Sequence, residues 1–410
     1  MRTVGLVVEY NPFHNGHLYH LQQSKKLTGA EAAVAVMSGH FLQRGEPALA
    51  DKWARTEMAL RAGCDLVLEL PVAYSSQPAQ WFAFGAVAVL HATGIVDAIC
   101  FGSESGDIEA LQAAAQVLAD EPETLARELK KRLRQGLPYP SAYTEAAKSL
   151  LSERGLNGIA FSLEQPNHTL GLHYLMALRK LRSPIVPYTV RRIKSEYNQT
   201  DITDAAIASA TALRRQLAET GSWDRIAPYV PASTLEILER EASRGRAPVD
   251  WECFAHPLFH ELLRSRPEEL ARHAEVTEGL EFRLRRAALR LSEWRVEALV
   301  EAVKTKRYTR TKLQRVLTRI LLGHTKEQLS RERLAGGVEY IRVLGFTERG
   351  RMLLKEMRKK AAVPVVLSAA RGKWAFLEMD VRASAVYALA FRGASPADVM
   401  RDYTQPPVRV

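Results

Sequence analysis

Two histidines three residues apart, His14 and His17, flank Gly16 in the run Glu9-Tyr10-Asn11-Pro12-Phe13-His14-Asn15-Gly16-His17. The segment before them, residues 3–9, is β-branched and apolar and reads as a buried strand. Asn11-Pro12 marks a turn, and a helix is expected over about residues 16–26. A strand that passes through a turn into a helix N-terminus suits a phosphate, because free N–H groups and the helix dipole attract anions. Gly16 permits close approach of backbone to ligand. Imidazoles at a spacing of three share one helical face. They are placed to donate hydrogen bonds to a phosphoryl group as charge develops on it. A zinc pair is one rival, although the HExxH spacing and its glutamate are missing and no third ligand is nearby. A purely structural pair is the other, and spacing alone leaves both open.

These residues need a scaffold, and the first hundred residues supply its pattern. Apolar runs at 32–37, 65–70 and 98–101 read as further strands. Helices are expected between them, over 51–62 with Asp51 as N-cap and over 79–91 as a buried helix. Such alternation predicts an α/β fold with a parallel sheet covered by helices. Residues 107–153 read as a helical insertion on that sheet. The α/β pattern resumes with a helix over 170–181 and a strand over 185–190, and another helix begins near Ala205. From residue 221 the chain reads as mostly helical. The expected division is an α/β domain over 1–220 and a helical domain over 221–410.

Gly102 follows the fourth expected strand, at the strand end where α/β sheets hold ligands. Asn167 precedes a helix and is a candidate for adenine or ribose, or else a helix cap. Arg192 follows the fifth strand and is a candidate for phosphate, or else a surface charge. Gln43, Arg44, Lys52 and Arg55 stand between a strand and a helix, either facing anionic substrates or lying on the surface.

Charge separates the two halves. The 410 residues carry 57 Lys/Arg and 46 Asp/Glu, a net +11. Residues 304–360 alone hold seventeen of the cations against five acids, so the rest is nearly neutral. A polyanionic partner is the natural expectation for that module; a solvated basic face is the bland one. Lys304, Lys306, Arg307, Arg310, Lys312, Arg315 and Arg319 lie on or beside an expected helix whose apolar face is Leu313, Val316, Leu317, Ile320 and Leu321. A cationic ridge over a buried stripe can track phosphates, and Tyr308 is placed either to stack on an unpaired base or to pack in the core.

Composition excludes other classes. The chain is 47% hydrophobic and 25% charged, ordinary for a globular protein and unlike disordered or collagenous chains. Three scattered cysteines exclude a disulfide framework and fit a reducing, cytoplasmic setting. The first residues run straight into an expected strand, so no signal peptide is expected. The most apolar stretch, residues 82–96, is too short and too interrupted to span a membrane.

The run Val7-Val8-Glu9-Tyr10-Asn11-Pro12-Phe13-His14-Asn15-Gly16-His17 resembles the HIGH-type motif of the nucleotidyltransferase superfamily. Four further segments narrow the likeness: Met37 through Pro47 (MSGHFLQRGEP), Phe101-Gly102-Ser103-Glu104, Gln165 through Gly171 (QPNHTLG) and Ala208 through Arg214 (ASATALR). Together they resemble the bacterial tRNA(Met) cytidine acetate ligase family over most of the chain. The resemblance implies a Rossmann-like nucleotidyltransferase domain that makes acetyl-adenylate from acetate and ATP. The acetyl group then passes to the wobble cytidine of elongator tRNA(Met), giving N4-acetylcytidine. His14 and His17 are then the catalytic pair. The implied ATP site comprises Val7, Val8, Glu9, Tyr10, Asn11, Pro12, Phe13, His14, Asn15, Gly16, His17, Leu18, Tyr19, His20, Gly102, Asn167, Arg192 and Ile193. Ser209, Thr211 and Arg214 resemble the superfamily's second signature and are expected to contact the triphosphate. Mg²⁺ is expected to accompany ATP without a metal site built by the protein. Neither a membrane nor a protein partner is expected. Two other readings stay open: a nucleotidyltransferase for a phosphorylated metabolite, which the basic module disfavours, and a non-catalytic RNA-binding protein, which the intact His14, Gly16, His17 and Arg214 disfavour.

Overall fold

A computed structural model describes residues 1–120, 122–156, 163, 165–192 and 208–410. Ile193 and the expected helix start at Ala205 lie outside the described residues. Among the described residues, eight strands form one sheet: β1 (Thr3–Val8), β2 (Ala32–Ser38), β3 (Leu66–Leu70), β4 (Ala98–Ser103), β5 (Val186–Arg191), β6 (Ile341–Phe346), β7 (Val365–Val366) and β8 (Val408–Arg409). Their order is β5-β4-β1-β2-β3-β6-β7, with β8 also pairing with β6. The first five strands are all parallel. From β1 the sheet grows towards β2 on one side and β4 on the other. Such a reversal opens a crevice outside the strands' carboxyl ends, here those of β1 and β4.

Both faces of the sheet are covered, which is why its strands are continuously apolar rather than alternating. Along β2, Val34 and Val36 join one core, while Ala33, Ala35 and Met37 join the other. The second core includes Leu21 from α1 (Asn15–Thr28) and Trp53 and Met58 from α2 (Lys52–Arg61). The first includes Val87 and Leu90 from α3 (Ala79–Ala92) and Leu172 and Leu175 from α4 (Pro166–Lys180). The insertion forms three helices, Ile108–Asp120, Pro122–Arg134 and Tyr139–Glu153. They lean on α4, where Arg179 pairs with Asp120 at 2.9 Å and the His173 and Tyr143 rings lie 5.4 Å apart.

The second half departs from expectation. It is not helical throughout: β6 pairs antiparallel with β3, and β7 and β8 add to β6. A buried parallel strand such as β3 cannot be left as an open apolar edge, and β6 covers it. Residues 341–346 carry an arginine and a glycine among basic helices, which hides them as a strand. Arg342 is fully buried and donates to the Asp402 carboxylate at 3.2 Å. Lys52, also fully buried, bridges Glu69 at 2.8 Å and Asp402 at 2.8 Å. Arg55 is buried as well, its guanidinium donating to the backbone oxygens of Glu9, Ser38, Gly39 and Ala50. Neither Lys52 nor Arg55 is a surface charge or faces the cleft; Arg55 fastens loops within the first half, and Lys52 ties that half to Asp402.

Beyond α5 (Ala210–Thr220), the basic helix α6 (Arg310–Leu322) begins at the Thr309 cap and ends at Gly323. Leu313, Val316, Leu317, Ile320 and Leu321 are buried, as the apolar stripe predicts. α6 reaches the first half of the chain through Gly45. That residue has φ +84°, and a Cβ there would stand 2.4 Å from the Arg315 nitrogen, so only glycine fits. The Thr318 hydroxyl donates to the Gly45 carbonyl at 2.6 Å.

Candidate active site

The chain leaves β1 through Tyr10, which adopts φ 49°. A bulky residue in that region is strained and is held there by its surroundings. The Tyr10 ring is buried, 4.5 Å from Phe13 and 5.0 Å from His17 between centroids. This aromatic wedge fixes the turn that aims α1 at the cleft.

His14 is the N-cap of α1, and its Nδ1 accepts from the Gly16 N–H at 3.1 Å. His17 Nδ1 in turn accepts from the His14 N–H at 3.3 Å. The two rings are stacked with centroids 3.6 Å apart. A nitrogen that accepts carries no proton, so each neutral imidazole bears its proton on Nε2. Burial, with Arg192 and Arg214 adding to it, lowers His14 to about 3. Burial, then the neighbouring His14 and His20, holds His17 well below its usual value. The pair is therefore neutral at physiological pH and offers two Nε2–H donors. The expected pH behaviour follows: the acetate-dependent ATP–pyrophosphate exchange that the resemblance implies keeps a flat rate between pH 6 and 8 at saturating substrates. An inflection near 6.5 that disappears in His17→Asn would contradict the neutral pair. The stability consequence has the opposite sign from that of a salt-bridged histidine. The unfolded chain takes up protons below about 6.5 that folded His14 does not, so stability falls as pH drops from 6.5 towards 3.

The cleft beside these rings is a cavity of about 260 Å³. Its lining combines polar groups with the apolar side chains of Phe82, Phe101, Leu170, Tyr174 and Val190. The structure brings most of the expected residues here: Val7, Val8, Glu9, Tyr10, Asn11, His14, Gly16, His17, Tyr19, His20, Gly102, Asn167, Arg192, Ser209, Thr211 and Arg214 all line it. Phe13 is instead buried behind the cleft, packed on Tyr10 and His17, and Pro12, Asn15 and Leu18 are absent from its lining. Gly102 leaves room for Arg192, since a Cβ there would stand 3.3 Å from Arg192 Cγ. Arg192 Nη1 donates to Asn167 Oδ1 at 3.4 Å. Arg214 donates to the Asn11 carbonyl at 2.8 Å and to Glu46 at 3.2 Å. Ser209 caps α5 by accepting from the Ala212 N–H at 3.1 Å, so its hydroxyl oxygen also serves the helix. Gln43 and Arg44 join the lining.

Three carboxylates received no role from their types alone. Glu104 accepts from the backbone of Asn167 and His168 and from Asn167 Nδ2 at 2.7 Å, so it, and not Asn167, caps α4. Glu46 links Arg214 to Gln314 of α6, the latter at 3.4 Å. Glu9 accepts from the Gln43 N–H at 2.7 Å, and burial raises its pKa. All three lie in segments that carry the family likeness, which was the available signal.

The basic series is placed differently from expectation. Arg319 is fully buried, donates to the Ser76 carbonyl and lies 3.8 Å from Glu275. It is a structural residue and not a phosphate contact. Arg315 pairs with Glu275 at 2.8 Å and is nearly buried. Arg310 pairs with Glu297, Arg307 with Glu278, and Lys304 with Glu301. Lys312 sits over the Tyr308 ring at 5.2 Å, and that ring is buried, with its hydroxyl donating to the Glu278 carbonyl. Tyr308 therefore offers no face to a base.

A parallel sheet with a paired-histidine helix N-terminus at its switch point and cations around it defines a nucleotidyltransferase. Residues 1–402 match the family described as HIGH Nucleotidyl Transferase. Within it, the chain is 42% identical to the tRNA(Met) cytidine acetate ligase of Acetivibrio thermocellus, over 99% of both chains. It is 40% identical to that of a Geobacillus species over the full length of both. The structure of Thermotoga maritima TmcAL superposes with a TM-score of 0.92 at 37% identity, covering both chains completely. A second form of that protein, bound with alpha-thio ATP, gives 0.90 at 36% identity. The chain belongs to the tRNA(Met) cytidine acetate ligase family.

Proposed function

We propose that this protein is an ATP-dependent ligase that acetylates the wobble cytidine of elongator tRNA(Met). The observation that carries the reading is the neutral, stacked His14–His17 pair with both Nε2–H donors unspent on the backbone and Arg192 and Arg214 beside it. Acetate is a poor acyl donor, so its activation requires a good leaving group, and AMP is one. An acetate oxygen attacks the α-phosphorus of ATP, the α–β bond breaks, and pyrophosphate leaves. The imidazole donors and guanidinium groups stabilise the charge that builds on phosphorus oxygens. The cytidine amine then attacks the acetyl carbonyl, the carbonyl–oxygen bond breaks, and AMP departs. No step needs a covalent bond to the protein, and the buried thiols Cys64 and Cys100 are raised by burial to about 12 and about 11.

The apolar part of the lining suits an adenine ring and the polar part a triphosphate. Mg²⁺ enters with the triphosphate as part of the substrate and is held by phosphate oxygens. The ligase acts where tRNA is found, in a reducing cytoplasm compatible with its three free cysteines; no described helix is long and apolar enough to cross a membrane. The test is to incubate the protein with ATP, acetate and tRNA, then digest and read nucleosides by mass spectrometry. N4-acetylcytidine at the wobble position is expected. Acetate left unincorporated, or a nucleotide transferred to a small metabolite, would overturn the assignment.

A further inference from the structure

The charge bookkeeping of the folded chain points away from the cations on and beside α6. Of the seven cations between Lys304 and Arg319, five are committed to carboxylates and Lys312 to an aromatic ring, leaving Lys306. For these residues to hold a phosphate they must first give up an acidic partner whose charge offsets theirs.

The helical insertion shows the reverse. Its middle helix, Pro122–Arg134, has Leu125 and Leu129 on its inner side, with Arg132 bound to Glu128 at 2.6 Å and to the Ser149 hydroxyl at 2.5 Å. On the opposite side Arg127, Lys130, Lys131 and Arg134 follow at spacings of three, one and three, which places them in one stripe. All four are exposed, and together they flank one shallow surface depression. Among the described residues none of them forms an ion pair. The helix dipole favours cations in its last turn, which accounts for Lys131 and Arg134 but not for Arg127 and Lys130.

The stripe is also rigidly tied to the catalytic cleft. The helices on either side of it pack on α4 through Arg179–Asp120 and through the ring pair Tyr143–His173. α4 contributes Asn167, Leu170 and Tyr174 to the cleft wall.

We propose that Arg127, Lys130, Lys131 and Arg134 form a phosphate-tracking surface that holds the backbone of the RNA substrate on the flank of the active site. The inference rests on the tRNA-ligase reading above. Four cations on one face match the charge of a polyphosphate backbone, and since none is held in an ion pair among the described residues, binding releases counterions without breaking one. The contacts carry no base identity and serve to position the RNA.

The test compares the wild type with the quadruple variant R127Q/K130Q/K131Q/R134Q. Unmodified tRNA binding is measured from 50 to 200 mM salt, beside acetate-dependent ATP–pyrophosphate exchange. The magnitude of the log–log salt slope should fall by about 0.7–0.9 for each lost contact, roughly 3 in all. Across that fourfold salt rise the wild type should lose about 10²-fold more affinity than the variant. Exchange should be unchanged, which also reports that the variant is folded. The double variant R307Q/R310Q, which removes paired cations, should change the slope less. A quadruple variant with normal exchange and an unchanged tRNA affinity and slope would overturn the proposal; that result would also be expected if the stripe served an acidic protein. Failure of the wild type to acetylate tRNA at all would instead overturn the ligase reading, so the two failures are distinguishable.

Discussion

Replacing His17 by alanine is expected to lower acetate-dependent ATP–pyrophosphate exchange by about 10²–10³, the cost of removing one preorganised donor from a developing charge. The loss should fall on kcat, because the Nε2–H is worth most where charge has accumulated on phosphorus oxygens. His14→Ala is expected to lose as much, with an added structural cost. His14 Nδ1 caps α1 by accepting from the Gly16 N–H, and losing an N-cap costs about 0.5–2 kcal/mol. The two contributions separate in His14→Asn, where the side-chain oxygen restores the cap but not the imidazole donor. That variant should recover stability and remain slow. Normal exchange in His14→Ala and His17→Ala together would leave the stacked pair without a catalytic role.

The second large effect lies away from the chemistry. Lys52→Met is expected to cost about 3–5 kcal/mol of stability, measured by denaturant unfolding, because it strands two buried carboxylates. Burial alone would lower the Lys52 pKa, but Asp402 and Glu69 outweigh it and hold the ammonium charged. Arg342 pairs directly with Asp402 only and reaches Glu69 through longer-range attraction, so it replaces the lysine incompletely. The exposed pair Arg215–Glu219 provides the contrast, with a change of at most about 1 kcal/mol expected on its removal. At a temperature where Lys52→Met stays folded, its Michaelis constant for ATP should match that of the wild type. A selective loss of ATP affinity with normal stability would place Lys52 in the substrate site and contradict its burial.

Lys52 also shows where sequence reasoning stops. Residue type and a position between strand and helix allow a lysine to meet substrate, solvent or a distant acid. The partner that decides the matter, Asp402, lies 350 residues away. Arg319 is the same case: its spacing puts it on the basic ridge of α6, while Ser76 and Glu275 draw it inwards. What was legible depended on local physics. The apolar strands, the α2 cap at Asp51 and the His14-Gly16-His17 geometry are set by neighbours in the chain, and the structure has them where expected. The Arg192 and Arg214 placements were legible because strand ends and helix starts gather at one crevice whichever helices surround it. The β6 pairing was not, because a strand that only completes an edge carries a weak pattern of its own. A run of cations also says nothing about acids that fold back onto it, as Glu275, Glu278 and Glu297 do here.

The central claim is that acetate attacks the α-phosphorus of ATP in the His14–His17 cleft. Acetate labelled with ¹⁸O in both carboxyl oxygens tests it directly. If the acetyl-adenylate forms and its acetyl–oxygen bond later breaks, one labelled oxygen stays on the phosphate of AMP. Mass analysis of the nucleotides after one round of tRNA acetylation should find AMP carrying a single ¹⁸O and unlabelled pyrophosphate. Label in inorganic phosphate, with ADP as the nucleotide product, would mean that the terminal phosphate had been attacked and would contradict the account.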